Sequence, residues 1–281
     1  MEAVEDLERR FETKHIGRQK KEKFPTGIKP IDAFLRGGLI SGELMVISGG
    51  PSSGKTALAI SCALRNAVER NRPASYYSLD LSAIELVRRF IANGANLKYL
   101  KLLKGNFAEA DFPLLTDQAS KLANSRVCLA ETPGISLVEL WAMVQKQKLR
   151  FNTQAVFIDP INLLGEGQKP GIEANLKRLK EMAVELQVAV IALCHLPKEV
   201  ADSLDSEEIN FQDPLSARFR GDCDLFAFLS RPYPAKTGVE RLNLSIYHGR
   251  KGFLGQASLN YDASTGRIAS LKVPLHTPLS Q

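Results

Sequence analysis

Gly49-Gly50-Pro51-Ser52-Ser53-Gly54-Lys55-Thr56 fits the pattern GxxxxGK[ST] and sits between the apolar run Leu44 to Ile47 and the helix-like segment Ala57 to Glu69. That is the setting a phosphate-binding loop requires. The glycines let backbone N–H groups turn inward around phosphates, and the N-terminus of the helix that follows adds partial positive charge. Lys55 reaches the outer phosphates and Thr56 can ligate Mg²⁺. The expected nucleotide-binding stretch is therefore Gly49, Gly50, Pro51, Ser52, Ser53, Gly54, Lys55 and Thr56, with Ala57 opening the helix behind it, and the ligand is ATP or GTP.

The remainder of the composition allows this and narrows the setting. A chain of 281 residues with 44% hydrophobic content can build one large α/β domain or two small ones. A formal net charge of +6 is compatible with a nucleic-acid partner without requiring one. Cys62, Cys128, Cys194 and Cys223 form no CxxC pair, and His15, His195, His248 and His276 show no metal-ligand spacing. Reduced thiols and a cytoplasmic location are expected. The apolar run Val188 to Cys194 is too short to cross a bilayer, and the acidic start lacks the basic-then-apolar order of a signal peptide, so no membrane association is expected.

Residues 1–23 are dominated by charge, with Val4, Leu7 and Phe11 at helical spacing. This segment reads either as a short docking helix or as a solvated leader. Phe24-Pro25-Thr26-Gly27 breaks the pattern and opens a domain expected over 24–272, and the tail 273–281, with Pro274 and Pro278, reads as disordered. Inside the domain, strands are predicted at Leu44 to Ser48, Ala74 to Asp80, Val127 to Glu131, Ala155 to Asp159 and Val188 to Cys194. Helices alternate with them: Ser82 with Glu85 predicts a capping box opening a helix through Ala92, and Ser136 with Glu139 another opening a helix to about Arg150. A further helix is predicted from Glu173 to Gln187. Strand-like runs then follow with less helix between them, at Leu225 to Ser230, Leu242 to Tyr247, Ala257 to Tyr261 and Arg267 to Leu271. The expected fold is α/β, with a mostly parallel central sheet extended at one edge by antiparallel strands.

Ligands of such sheets gather at the carboxyl ends of the strands. Val156-Phe157-Ile158-Asp159 has the form of a Walker B strand, three apolar residues delivering one carboxylate beside the loop, where it can hold Mg²⁺ directly or through water. Ser78-Leu79-Asp80 delivers a second carboxylate, placed for a general base on the attacking water. Leu193-Cys194-His195 ends a third strand in a group that could sense the γ-phosphate. A capping or core role is the plain alternative for Asp80 and His195.

With these residues in place the chain resembles the C-terminal motor domain of the DnaB-type replicative DNA helicases, a branch of the RecA-like P-loop NTPases, over nearly all of residues 24–272. The resemblance rests on Thr26-Gly27 through Ile31-Asp32, Gly37-Gly38-Leu39, Ser78-Leu79-Asp80-Leu81-Ser82 with Glu85-Leu86-Val87 and Arg89, and the Walker B strand leading into Ile161 and Leu163. It continues in Lys177-Arg178-Leu179-Lys180-Glu181-Met182-Ala183, Val190-Ile191-Ala192-Leu193, Asp222-Cys223-Asp224 with Phe226 and Arg231, and His248-Gly249-Arg250-Lys251-Gly252 ending in Gly255, which is similar to the family's KxRxG segment. It implies a homo-oligomer, a hexameric ring with ATP and Mg²⁺ held by Lys55, Thr56 and Asp159 at subunit interfaces, and Arg250 acting as a finger on the neighbour's nucleotide. It also implies helicase action on single-stranded DNA in replication, with an initiator or loader as partner, by a chain reduced to the motor domain.

Some positions depart from the family. Asp80 stands where the family has a catalytic glutamate, His195 replaces its γ-phosphate glutamine, His248 its finger lysine, and Pro160 follows Walker B where an aromatic is usual. Asp213-Pro214-Leu215-Ser216-Ala217-Arg218 barely resembles the family's DLRESG-like stretch. Between Pro197 and Asp213, Glu199, Asp202, Asp205, Glu207, Glu208 and Asp213 face Lys198 alone, and the loop Gly165 to Gly171 offers only Lys169 against Glu166. Such loops repel phosphates. Lys14, Arg18, Lys20, Lys21 and Lys23 form a substitute site or a solvated linker. The other function class that fits is an oligomeric regulator or accessory protein that uses ATP to set its assembly state without translocating; a small-molecule kinase lacks any recognisable phosphoacceptor site or lid.

Overall fold

The structure is a computed structural model that describes residues 22–165, 171–197, 221–232, 240–249 and 254–270. Its elements are β1 (Lys23–Phe24), α1 (Lys29–Phe34), β2 (Leu39–Ile40), β3 (Leu44–Gly49), α2 (Lys55–Ala67), β4 (Ala74–Ser78), α3 (Ala83–Ala95), α4 (Tyr99–Lys104), α5 (Asp111–Ala123), β5 (Val127–Glu131) and α6 (Leu137–Phe151). There follow β6 (Ala155–Asp159), a 3₁₀ turn (Ile161–Leu163), α7 (Ile172–Leu186), β7 (Ala189–His195), β8 (Leu225–Ser230), β9 (Glu240–Gly249), β10 (Gly255–Asp262) and β11 (Arg267–Ser270). The expected docking segment 1–21, the tail from 271, most of the two candidate DNA loops, Asp213 to Arg218, and Arg250 with Lys251 and Gly252 lie outside the described residues.

β1 and β2 form a small ribbon, and the other strands form one nine-stranded sheet in the order β11-β10-β9-β8-β3-β7-β6-β4-β5. From β8 to β5 every pairing is parallel; β9, β10 and β11 add antiparallel at one edge. Parallel strands covered on both faces must be apolar on both, which is why β3, β6 and β7 read as unbroken apolar runs. Met45, Ile47 and Phe157 face a core closed by Leu58, Leu86 and Phe90 of α2 and α3, while Leu44, Val46, Val156 and Ile158 face Leu140, Val144, Leu176 and Leu179 of α6 and α7. Each such side chain contributes about 1.5–3 kcal/mol of burial. Among the described residues, no helix is long and apolar enough to cross a membrane.

Local chemistry sets the boundaries. At α6 the capping box is complete: Ser136 Oγ accepts from Glu139 N, and the Glu139 carboxylate accepts from Ser136 N. At α3 it is half made, a correction to the sequence reading. Ser82 Oγ accepts from Glu85 N at 3.3 Å, but Glu85 turns to Arg89 at 2.7 Å, because a guanidinium one turn away competes for the carboxylate. The helix runs on to Ala95, past the expected Ala92, and ends on Asn96 at φ 55. β4 stops at Ser78, so Asp80 stands beyond the strand, in a turn held by the Ser78 hydroxyl on Leu81 and by Ala83 N on Glu131. α1, α4 and α5, which periodicity did not reveal, are also present.

The Asp222-Cys223-Asp224 stretch is structural at its last residue. Asp224 Oδ2 accepts from Lys180 Nζ at 2.7 Å and from Leu44 N at 2.8 Å, and Lys180 also donates to Gly42 O at 2.6 Å. This joins α7 to the start of β3, the strand that carries the loop. Asp224→Ala leaves a cation and a buried N–H without that acceptor, and unfolding in urea is expected to show a loss of about 2 kcal/mol or more.

Candidate nucleotide site

The loop leaves β3 at Gly49 and enters α2 through Gly54, whose φ of 92 is one that side-chain-bearing residues rarely adopt. Gly49 is required for space: a Cβ there would lie 2.5 Å from the Leu229 carbonyl oxygen and 2.6 Å from Ser53 Oγ. The cradle is thereby pressed against β8. Lys55 is only 4% exposed, and its ammonium donates to Gly49 O at 2.9 Å, Gly50 O at 2.8 Å and Ser53 Oγ at 3.2 Å. Burial lowers its pKa from 10.5 to about 8, against the opposing pull of Asp159.

Asp159, 4% exposed at the end of β6, is the other half of the site. Its Oδ2 accepts from Thr56 Oγ1 at 2.8 Å and from Tyr76 OH at 2.7 Å. Burial raises its pKa above the ordinary carboxylate value, opposed by those two hydrogen bonds, His195 and Lys55. A hydroxyl and a carboxylate in contact at the first turn of α2 are hard oxygen donors, and Mg²⁺ characteristically takes one or two of these while keeping waters and phosphate oxygens as its other ligands. The donor set therefore fits that ion.

β7 pairs with β3 so that His195 lies opposite Gly49. Its main chain is clamped by Asn162, which accepts from His195 N at 2.7 Å and donates to His195 O at 3.0 Å. Burial lowers the His195 pKa, Lys55 lowers it further, and Asp159 and Asp80 oppose them, which places all four side chains within one electrostatic neighbourhood. Asp80 itself is exposed. His248 does not join them: it pairs with Phe226, which pairs with Val46, so it lies toward the amino ends of the parallel strands while the loop lies at their carboxyl ends.

Sequence reasoning missed three contributors. Tyr76 was passed over as a strand residue, although a buried tyrosine hydroxyl needs a partner and so carried a signal. Asn162 carried none. Arg231 was noted only for the resemblance; it donates to Ser52 O at 3.3 Å, pairs with Glu240, and lies over the Tyr261 ring at 5.5 Å, tying the loop to β9 and β10.

The profile of the DnaB-like helicase C terminal domain matches residues 24–270. The replicative DNA helicase DnaC of Bacillus subtilis (strain 168) is 29% identical over 257 residues, 88% of this chain and 56% of that protein. The replicative DNA helicase DnaB of Treponema pallidum (strain Nichols) is 27% identical over 271 residues, 94% of this chain and 60% of its own length. The chain thus spans little more than half the length of these relatives. Among solved structures, an isolated ATPase domain superposes with a TM-score of 0.79 at 23% identity, covering 96% of this chain and 98% of that one. A DnaB-like replicative helicase described with its interactions with primase gives 0.77 at 24% identity, covering 95% of this chain and 66% of that one. The fold is the RecA-like one of these ATPase domains.

The Lys55 geometry predicts a pH dependence. Its ammonium loses its proton near pH 8 in the ligand-free protein, and phosphate anions beside it would raise that value. Above pH 8 binding must then take up a proton, so ADP affinity is expected to fall with rising pH, by up to about tenfold per unit. Calorimetry in buffers of different ionisation heat should register this uptake in the wild type and lose it in Lys55→Ala.

Proposed function

Because the chain belongs to the family of DnaB-like helicase C-terminal domains, we propose that it is the ATP-hydrolysing motor of a DnaB-like replicative DNA helicase. The observation that carries this reading is the meeting of Thr56 and Asp159 at 2.8 Å beside a lysine folded into its own loop. The loop amides from Gly49 to Thr56 bind the phosphates, with Pro51 and Ser52 at the exposed tip and Ala57 in the first turn behind them. Lys55 exchanges the Gly49 and Gly50 carbonyls for the outer phosphates. Thr56 and Asp159 hold Mg²⁺, which when bound neutralises charge on the phosphate oxygens.

Asp80 then orients and deprotonates the attacking water, and His195, on the strand beside the loop, reads the γ-phosphate. One methylene shorter than a glutamate, Asp80 leaves its carboxylate short of the water, so turnover is slow. Arg250 and His248 serve the nucleotide of a neighbouring chain, which makes a homo-oligomer, a hexameric ring in the cytoplasm, the working form. Single-stranded DNA is its track, and a replication initiator, loader or primase its partner. The acidic stretch from Glu199 to Asp213 favours a second reading, a nucleotide-switched regulator that does not translocate.

ATP turnover with and without single-stranded DNA decides between them. The motor is expected to be stimulated by DNA, with binding weakened by salt at a slope of about 0.7 per phosphate neutralised. A chain whose turnover ignores DNA at low salt while ATP changes its oligomeric state is the regulator. If Asp80 is the short-reaching base, Asp80→Glu should raise the steady-state rate several-fold and Asp80→Asn should lower it by about a hundredfold; equal rates in all three proteins would make Asp80 a turn residue only.

A further inference from the structure

We propose that Tyr76 is a positioning residue for the metal: its hydroxyl, fixed in the sheet, holds the Asp159 carboxylate in the orientation that receives Mg²⁺. This rests on the nucleotide-site reading above. β4 and β6 run parallel with Tyr76 opposite Phe157 and Ser78 opposite Asp159. Tyr76 therefore lies one step below Asp159 on the same face, about 6.6 Å along the strand direction, a gap that a tyrosine side chain spans. Its ring is fully buried, stacked on Phe157 at 5.7 Å and 15°, and edge-on to Phe90 at 5.7 Å.

Phenylalanine would fill that space equally well. A hydroxyl placed there must lose its water, and it recovers a hydrogen bond only because Asp159 Oδ2 accepts from it at 2.7 Å. Thr56 donates to the same oxygen at 2.8 Å, and among the described residues none donates to Oδ1. Two donors on one oxygen orient the carboxylate and leave the other oxygen for the cation or its water. The donors differ in kind. Thr56 sits on the loop helix and must itself turn an oxygen lone pair toward the metal, whereas Tyr76 is anchored among aromatic rings in β4 and has no other task. Tyr76 also joins the strand that leads to Asp80 to the strand that ends in Asp159, so one hydroxyl sets the metal's carboxylate relative to the candidate base.

The test compares wild type with Tyr76→Phe in three measurements: Mn²⁺ affinity of the protein–ADP complex by electron paramagnetic resonance, ADP affinity in EDTA, and thermal unfolding. The expected result is Mn²⁺ bound about tenfold more weakly, with metal-free ADP affinity unchanged. Unaltered Mn²⁺ affinity in the folded variant, or an equal loss of ADP affinity with and without metal, overturns the proposal and leaves the nucleotide site standing. A wild-type protein that binds no nucleotide overturns both. Should Tyr76→Phe not fold, wild-type protein labelled with ¹³C at the tyrosine Cζ decides: the Tyr76 resonance is expected to move when Mg²⁺ joins the ADP complex, and an unmoved resonance overturns the assignment.

Discussion

A carboxylate almost wholly removed from water must be paired with donors or it destabilises the fold by several kcal/mol, and Asp159 is such a group. Its two side-chain donors come from different elements, Thr56 from the helix after the loop and Tyr76 from β4, while its carbonyl accepts from Leu79 N at 2.8 Å. Those bonds are available only if β6 lies beside β4 in the observed register and α2 starts where Gly54 lets it start. The site and the sheet therefore specify one another. A slip of one residue in β6 would turn Asp159 to the other face, toward the core formed by Val156 and Ile158.

The opposing charge is managed in the same way. Lys55 is buried to nearly the same extent, and two main-chain carbonyls and a hydroxyl take the place of the phosphates it is suited to. Carbonyl dipoles stabilise an ammonium less than phosphate anions do, and its lowered pKa expresses that deficit. The loop is thus shaped for an anion before one arrives, and the difference between carbonyl and phosphate partners is one source of binding free energy.

Much of this was legible in the sequence because it is local or periodic. The loop is eight contiguous residues, the parallel strands are apolar runs, and Ser136 with Glu139 specifies a helix start on its own. What escaped depends on contacts between distant residues or on competition. Glu85 had two available partners, and only the three-dimensional arrangement favours Arg89. α4 and α5 pack a minor core of Ala92, Leu97 and Leu102 whose apolar positions are too few to impose a clear period. Tyr76 meets Asp159 across 83 residues of chain, a pairing that exists only once strand order is known. Asp80 was legible as a residue but not as a position, since the strand stops before it and the turn holds it in solvent.

Strand direction carries the argument one step further. β9 runs antiparallel to β8, so as its chain proceeds toward His248 it travels away from the carboxyl ends where its own loop lies. Three residue steps of β3, about 10 Å, separate Gly49 from Val46, the residue level with Phe226 and His248, and two inter-strand spacings add roughly as much again sideways. No side-chain rotation brings an imidazole across that span to the phosphates of the same chain. The segment that begins at His248 and continues into Arg250 can therefore take part in phosphoryl chemistry only on another chain's nucleotide. Lys55, Thr56, Asp159 and the exposed Asp80 form one side of a catalytic centre that a single copy does not complete.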